Sequence, residues 1–152
     1  MVKILSPSTY NGWFHFPVRA QPHNTDYGGV VWHGAYLSWM ESARVECLQA
    51  AGISFADLVA EGIDLPVVNM YLRYHVAVKM GEAVDVMTRL APLERLRLNW
   101  EYEIRTTGKL CVSAQVSLVA IDRAKGKVMR SMPPILEKAL ERIAIAQSKQ
   151  PT

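Results

Sequence analysis

The sequence predicts an α+β domain in which an antiparallel sheet wraps one long central helix. Two periodicities and an element order lead there. Tyr36, Trp39, Met40, Ala43, Cys47 and Ala50 recur at helical spacing; Leu96, Leu98, Trp100, Tyr102 and Ile104 alternate with polar residues, and Leu110, Val112, Ala114, Val116, Leu118 and Ala120 repeat that alternation. The order is strand, long helix, short helix, four or five strands, terminal helix, with no repeat or linker dividing it. Only the helix from about residue 34 to 51 is long and apolar enough to cover the apolar face of such a sheet.

Residues 1–12 read as an N-terminal extension, 13–147 as a single domain and 148–152 as a tail. The first strand is WFHFPVRA, residues 13–20, which Pro17 confines to a sheet edge or to the strand's beginning. A loop rich in Asn, Asp and Gly follows. Glu41, Arg44 and Glu46 lie between the apolar positions of the long helix, which Gly52 stops. Ser54 caps a short helix, SFADLVAEG, closed by Gly62. Strands then follow at VVNMYLRYHV (67–76), at Val84, Val86, Thr88 and Leu90, and over the two alternating runs, which Thr107 and Gly108 join as an antiparallel pair. DRAKGK (122–127) makes a further hairpin turn before VMR. Pro133 and Pro134 open a final helix with Ile135, Leu136, Ala139, Leu140 and Ile143 on one side.

At 152 residues, 50% hydrophobic and 20% charged, the chain fits one globular domain and excludes a disordered polar one. No segment approaches the roughly 20 apolar residues that span a bilayer. The apolar run at the N-terminus breaks at Ser6 and Pro7, too early for a secretory signal, so a cytoplasmic protein is expected. Cys47 and Cys111 stand alone, without paired histidines at ligand spacing, and suggest neither a zinc site nor a disulfide. The net charge of +3 is spread over several segments rather than gathered in one block, so neither nucleic acid nor a membrane is expected as a partner, and an anionic small molecule is compatible with the charge.

The stretch HNTDYGGVVWHGAYLSWMESAR, residues 23–44, sets Asp26, Gly28 and Gly29 ahead of the long helix. These residue types suit a turn, and Asp26 can serve there as an Asx-turn residue. The order of elements, with D-x-x-G-V-V-x-H leading into A-Y-L-x-W-M-E-x-A-R, also resembles the hotdog-fold acyl-CoA thioesterases of the 4-hydroxybenzoyl-CoA thioesterase and YbgC type. The likeness runs from about Val18 to Arg130 and includes PVVNMYLRYHVAVKMGEAVDV and IDRAKGKVMRS.

The resemblance implies hydrolysis of an acyl-CoA, or of an acyl carrier protein thioester, with Asp26 as the catalytic carboxylate and no cofactor. It also implies a homodimer or homotetramer with active sites between protomers. The chain departs from the family pattern at Pro22, where a tyrosine is common, and at Asn24, where an acidic residue is common.

Thioester hydrolysis needs a nucleophile or base and a donor aimed at the carbonyl oxygen, which becomes negative. A helix N-terminus supplies unpaired N–H groups, here at His33 and Gly34. Asp26 can attack directly or activate water. Gly28 and Gly29 let the loop backbone approach substrate without a Cβ in the way, with Val30 next to them as a substrate-binding residue, while Tyr36, Trp39 and Met40 belong to the core or to an acyl pocket. Glu41 is a solvated helix residue or, as in a sister group of hotdog enzymes, the alternative carboxylate. Arg73, Lys79, Arg95 and Arg97 are the cations that could meet CoA phosphates. His15, Phe16 and Pro17 echo a dehydratase motif, although Val18 stands where that motif has glycine; a non-catalytic acyl-thioester binder is the third class.

Overall fold

The computed structural model describes residues 7–149. Its elements in chain order are β1 (Ser8–Tyr10), β2 (Trp13–Arg19), α1 (Ala35–Ala50), α2 (Phe55–Ala60), β3 (Ile63–Asp64) and β4 (Val67–Tyr74). Then come β5 (Ala83–Leu90), β6 (Leu98–Thr106), β7 (Lys109–Leu118), β8 (Ile121–Asp122), β9 (Lys127–Val128) and α3 (Pro134–Ser148). Six strands form one antiparallel sheet in the order β1-β2-β5-β6-β7-β4, and β3, β8 and β9 form a small second sheet. This is the hotdog arrangement, a sheet wrapped on α1.

The registers show how alternation becomes a core. Phe14, Thr88, Tyr102, Ala114 and Leu72 fall in one row across the large sheet, and Phe16, Val86, Ile104, Val112 and Tyr74 in the next. These rows share the face that α1 covers with Tyr36, Trp39, Met40, Ala43 and Cys47. Fully burying one large apolar side chain contributes about 1.5–3 kcal/mol, so two continuous rows hold the helix firmly. At β4 the cover ends. Met70 and Tyr74 point to the helix side of the sheet yet are exposed, because this edge strand reaches past its own helix.

Several details differ from the sequence reading. The sheet begins at Ser8, inside the stretch read as an extension, because Asn11 (φ 53°) and Gly12 (φ 79°) make a two-residue turn that folds β1 onto β2. The remaining residues assigned to the extension, 1–6, and residues 150–152 of the expected tail lie outside the described residues. The strand β6 starts at Leu98 rather than Leu96, since Arg95 takes a φ of 60° in the preceding turn. Ala50 is exposed at the helix end, whereas Arg44 is buried, its Nη1 donating to the Tyr102 hydroxyl at 3.4 Å. Asn99, one of the polar residues that alternate with the apolar ones in β6, is buried and accepts from Ser117 Oγ at 2.5 Å across the strand pair.

Two docking contacts complete the frame. Pro17 lies on the part of β2 that the three-residue β1 does not reach, consistent with its expected edge position. Gln147 near the end of α3 bonds both backbone groups of Leu90, accepting at 2.7 Å and donating at 3.0 Å, so a side-chain amide takes the place of a neighbouring strand.

Candidate active site

The segment ahead of α1 is a tight hairpin. Thr25 bridges Val31, the Asp26 N–H donates to Val30 O at 2.9 Å, and the Gly29 N–H returns to Asp26 O at 3.1 Å. Gly29 needs its positive φ of 82° to close this turn. Asp26 Oδ1 accepts the Gly28 N–H at 2.8 Å, so the Asx-turn geometry is present. A Cβ on Gly28 would sit 3.1 Å from that same oxygen, tighter than ordinary contact. Among the described residues, Oδ2 of Asp26 has no hydrogen-bond donor and the side chain is exposed.

The hairpin is anchored on its far side. Val31 N–H donates to Val78 O at 2.8 Å, Met80 N–H to Gly29 O at 3.0 Å, and Val30 bridges Lys79. The loop is therefore a rigid two-sided extension of the structure. Lys79 is held there by its backbone, its N–H donating to Glu82 Oε1 at 2.8 Å, with its side chain exposed.

At the start of α1, Gly34 is the N-cap and no side chain caps the helix. Ala35 N–H takes Trp32 O and Leu37 N–H takes Gly34 O, leaving the His33 and Gly34 N–H groups without a partner among the described residues. Such free donors, at the positive end of a 16-residue helix, suit developing negative charge. Trp32 lies against Gly34 so closely that a Cβ there would meet its ring at 2.3 Å. The Tyr74 hydroxyl donates to His33 O at 2.9 Å.

Beside this helix end is a cavity of about 180 Å³ lined by Val31, His33, Tyr36 and residues 74–77. Tyr36 is buried, its hydroxyl accepts the Val78 N–H at 3.2 Å, and burial pushes its phenol pKa up. Trp39 and Met40 belong to the core. Asp26, Gly28 and Gly29 do not line the cavity within one chain. Arg73 pairs with Ser113 on the outer face of β4, opposite to Tyr74. Glu41 is exposed, 3.8 Å from Arg44, about 10 Å along the helix from Gly34.

His15 is buried, its Nδ1 2.7 Å from Asp85 Oδ2 and its Nε2 3.2 Å from Tyr10 O, with the Tyr10 ring stacked on it. Both nitrogens are engaged, which leaves neither for a dehydratase role. The sequence reading missed Tyr74 and His75. Their signal was a polar aromatic pair at the end of a strand, TyrHis, which strand alternation treats as ordinary. Among the described residues no cluster of three or more His, Cys, Asp or Glu side chains could hold a metal, and no helix is long and apolar enough to cross a membrane.

The sequence profile of the thioesterase-like superfamily matches residues 20–140. The chain belongs to this family, and its fold and enzyme class are those of hotdog thioester hydrolases. More particularly, the proteins it is similar to include acyl-CoA thioesterases named YbgC. It is 28% identical to the acyl-CoA thioester hydrolase YbgC of Escherichia coli over 138 residues, covering 90% of this chain and 96% of that one. A Synechocystis sp. protein, sll0410, provisionally named an esterase, is 52% identical over 130 residues, covering 84% of this chain and 78% of that one. Among solved structures, a DHNA-CoA thioesterase from Staphylococcus aureus superposes with a TM-score of 0.80 at 29% identity, covering 88% and 91% of the two chains.

Proposed function

We propose that this protein hydrolyses acyl-CoA thioesters to the free acid and CoA, with Asp26 as nucleophile or general base. The observation that carries the reading is a carboxylate with one unengaged oxygen, held on a rigid hairpin that runs directly into a helix end with two unpaired N–H groups. In the reaction, Asp26 Oδ2 either attacks the thioester carbon, forming a mixed anhydride that water then hydrolyses to the free acid, or takes a proton from a water that attacks the carbon and passes that proton to the departing thiolate. The His33 and Gly34 N–H groups receive the oxygen's negative charge, and the thiolate of CoA departs. The His33 side chain, exposed and edge-on to Trp32 at 5.3 Å, borders the same place. Gly28 and Gly29 keep the approach to Asp26 free of side chains. Arg73 and Lys79 are exposed and in no ion pair among the described residues, as a contact for CoA phosphates requires.

The site is completed by a second copy. The edge strand β4 leaves Met70 and Tyr74 bare on the helix side, and Met70 N–H turns away from β7 to its neighbour Asn69 Oδ1 at 3.0 Å. Trp32 and Leu37 near the site are likewise exposed, and Tyr27 at the hairpin tip is fully so. Edge-to-edge pairing of two β4 strands brings a second α1 toward these surfaces, giving a homodimer or a dimer of dimers.

The names of the relatives support a CoA thioester as substrate. The test is release of free thiol from a panel of aromatic, short and long acyl-CoAs and matching acyl carrier protein thioesters. Steady turnover of one group is expected; binding without thiol release would overturn the assignment in favour of a non-catalytic binder.

A further inference from the structure

We propose that Tyr74 is a positioning residue for the hydrolysis: its hydroxyl fixes the peptide plane that carries the Gly34 N–H, and so aims an oxyanion donor. This rests on the reading of the α1 N-terminus as the place where the carbonyl oxygen binds. The His33 carbonyl and the Gly34 N–H belong to one peptide unit, which is planar and trans, so the two groups point in opposite directions and turn together. Whatever holds the oxygen sets the direction of the N–H.

Nothing in the helix does this. The Leu37 N–H bonds Gly34 O, and His33 O lies outside the helical ladder, with the Tyr74 hydroxyl at 2.9 Å as its partner among the described residues. Trp32 limits the space on the other side, since even a Cβ at Gly34 would overlap its ring. Tyr74 is itself well placed to act as a fixed post. Its backbone is registered to Val112 in the sheet, and its ring packs 5.6 Å from that of Tyr36, whose hydroxyl is tied to Val78. Among the described residues, the Tyr74 hydroxyl is thus the hydrogen bond by which the sheet holds the peptide leading into α1, beside the packing of the Tyr74 ring on Tyr36. Hydrogen bonds weaken steeply as their angle closes, so a few tens of degrees of peptide rotation would degrade the donor without removing it.

The experiment is Tyr74→Phe, which keeps the ring and deletes only the hydroxyl. Because deleting an oxyanion donor outright costs about a hundred- to a thousandfold, loosening one is expected to lower kcat about tenfold, with KM unchanged. A trifluoromethyl ketone analogue of the acyl-CoA, which mimics the tetrahedral anion, is expected to lose affinity by a similar factor, while a thioether analogue keeps its affinity. In the free protein, the Gly34 amide resonance is expected to move and its hydrogen exchange to quicken more than those of other α1 residues.

An unchanged kcat, or equal losses for both analogues, would overturn the positioning role. Should the variant fail to fold, difluorotyrosine at position 74 serves instead: the fluorinated phenol ionises at lower pH and stops donating, so kcat should fall at a lower pH than in the unmodified protein, and an unmoved profile would overturn the role. Failure of the unmodified protein to release thiol from any acyl thioester would instead overturn the hydrolase reading, and the Gly34 amide would still report on the clamp.

Discussion

Asn in place of Asp26 keeps the oxygen that receives the Gly28 N–H and removes the charge that attacks or accepts a proton. Turnover by Asp26→Asn is expected to fall about a hundredfold or more, with substrate affinity and melting temperature nearly unchanged. A residue serving the turn alone would leave the rate intact. Glu41→Gln is the paired control, since Glu41 is an exposed helix residue away from the helix end, and normal rates in both variants would remove carboxylate chemistry from the site altogether. At the residue scale the sequence showed the turn and the helix start clearly, because Asp, Gly and Gly in that order have few other uses. Tyr74 was hidden. Nothing local in a strand distinguishes an aromatic that packs from one whose hydroxyl reaches a residue 41 positions away.

Elements were legible wherever a period or a cap was strong. The Ser54 cap is an example: its Oγ accepts the Asp57 N–H at 3.0 Å, and Asp57 Oδ2 accepts the Ser54 N–H at 2.9 Å, which also lowers the Asp57 pKa. Ser54→Ala is expected to destabilise the fold by about 1 kcal/mol in chemical denaturation while leaving the rate alone. No loss of stability would mean that α2 is held by packing at Leu58 alone. Two elements escaped: β3 (Ile63–Asp64), whose two residues carry no period, and β1. Its three residues are too short for alternation to register, although the Asn11-Gly12 pair is a strong hairpin signal. The burial of Arg44 and Asn99 was equally out of reach, since both are polar positions in otherwise faultless patterns and owe their burial to partners on other elements, Tyr102 and Ser117.

For the whole molecule, alkaline stability follows from groups buried in their neutral form. Burial pushes the Cys47 thiol up to about 12 from 9.0 and raises the pKa of Tyr36 and Tyr102. A folded pKa above the unfolded one gives stability that is complete below the unfolded value and lost as pH rises toward the folded value. For Cys47 that window runs from 9.0 to about 12, where one proton's difference costs about 1.4 kcal/mol per pH unit. Unfolding free energies of Cys47→Ala should therefore fall less steeply with pH there than those of the unmodified protein; parallel curves would contradict the burial argument.

Assembly is tested at the same scale. Met70→Pro removes an N–H that faces away from β7, so the strand's own ladder survives while pairing with a second β4 is blocked. Light scattering should give a monomer for this variant and a dimer or tetramer for the unmodified protein; a variant of unchanged mass would place the interface elsewhere.

The two borders of the large sheet are unlike. One is the eight-residue β4; the other is closed over only part of its length by the three-residue β1, beyond which stands Pro17, without an N–H. A sheet with two adhesive borders could keep adding copies and grow into a filament. With one border adhesive and the other blunted, addition through β4 uses up the open side among the described residues, and growth stops at a closed pair. Pro17→Val would restore a donor to the blunt side. The expected result is concentration-dependent polymerisation in sedimentation, with the chemistry at Asp26 untouched.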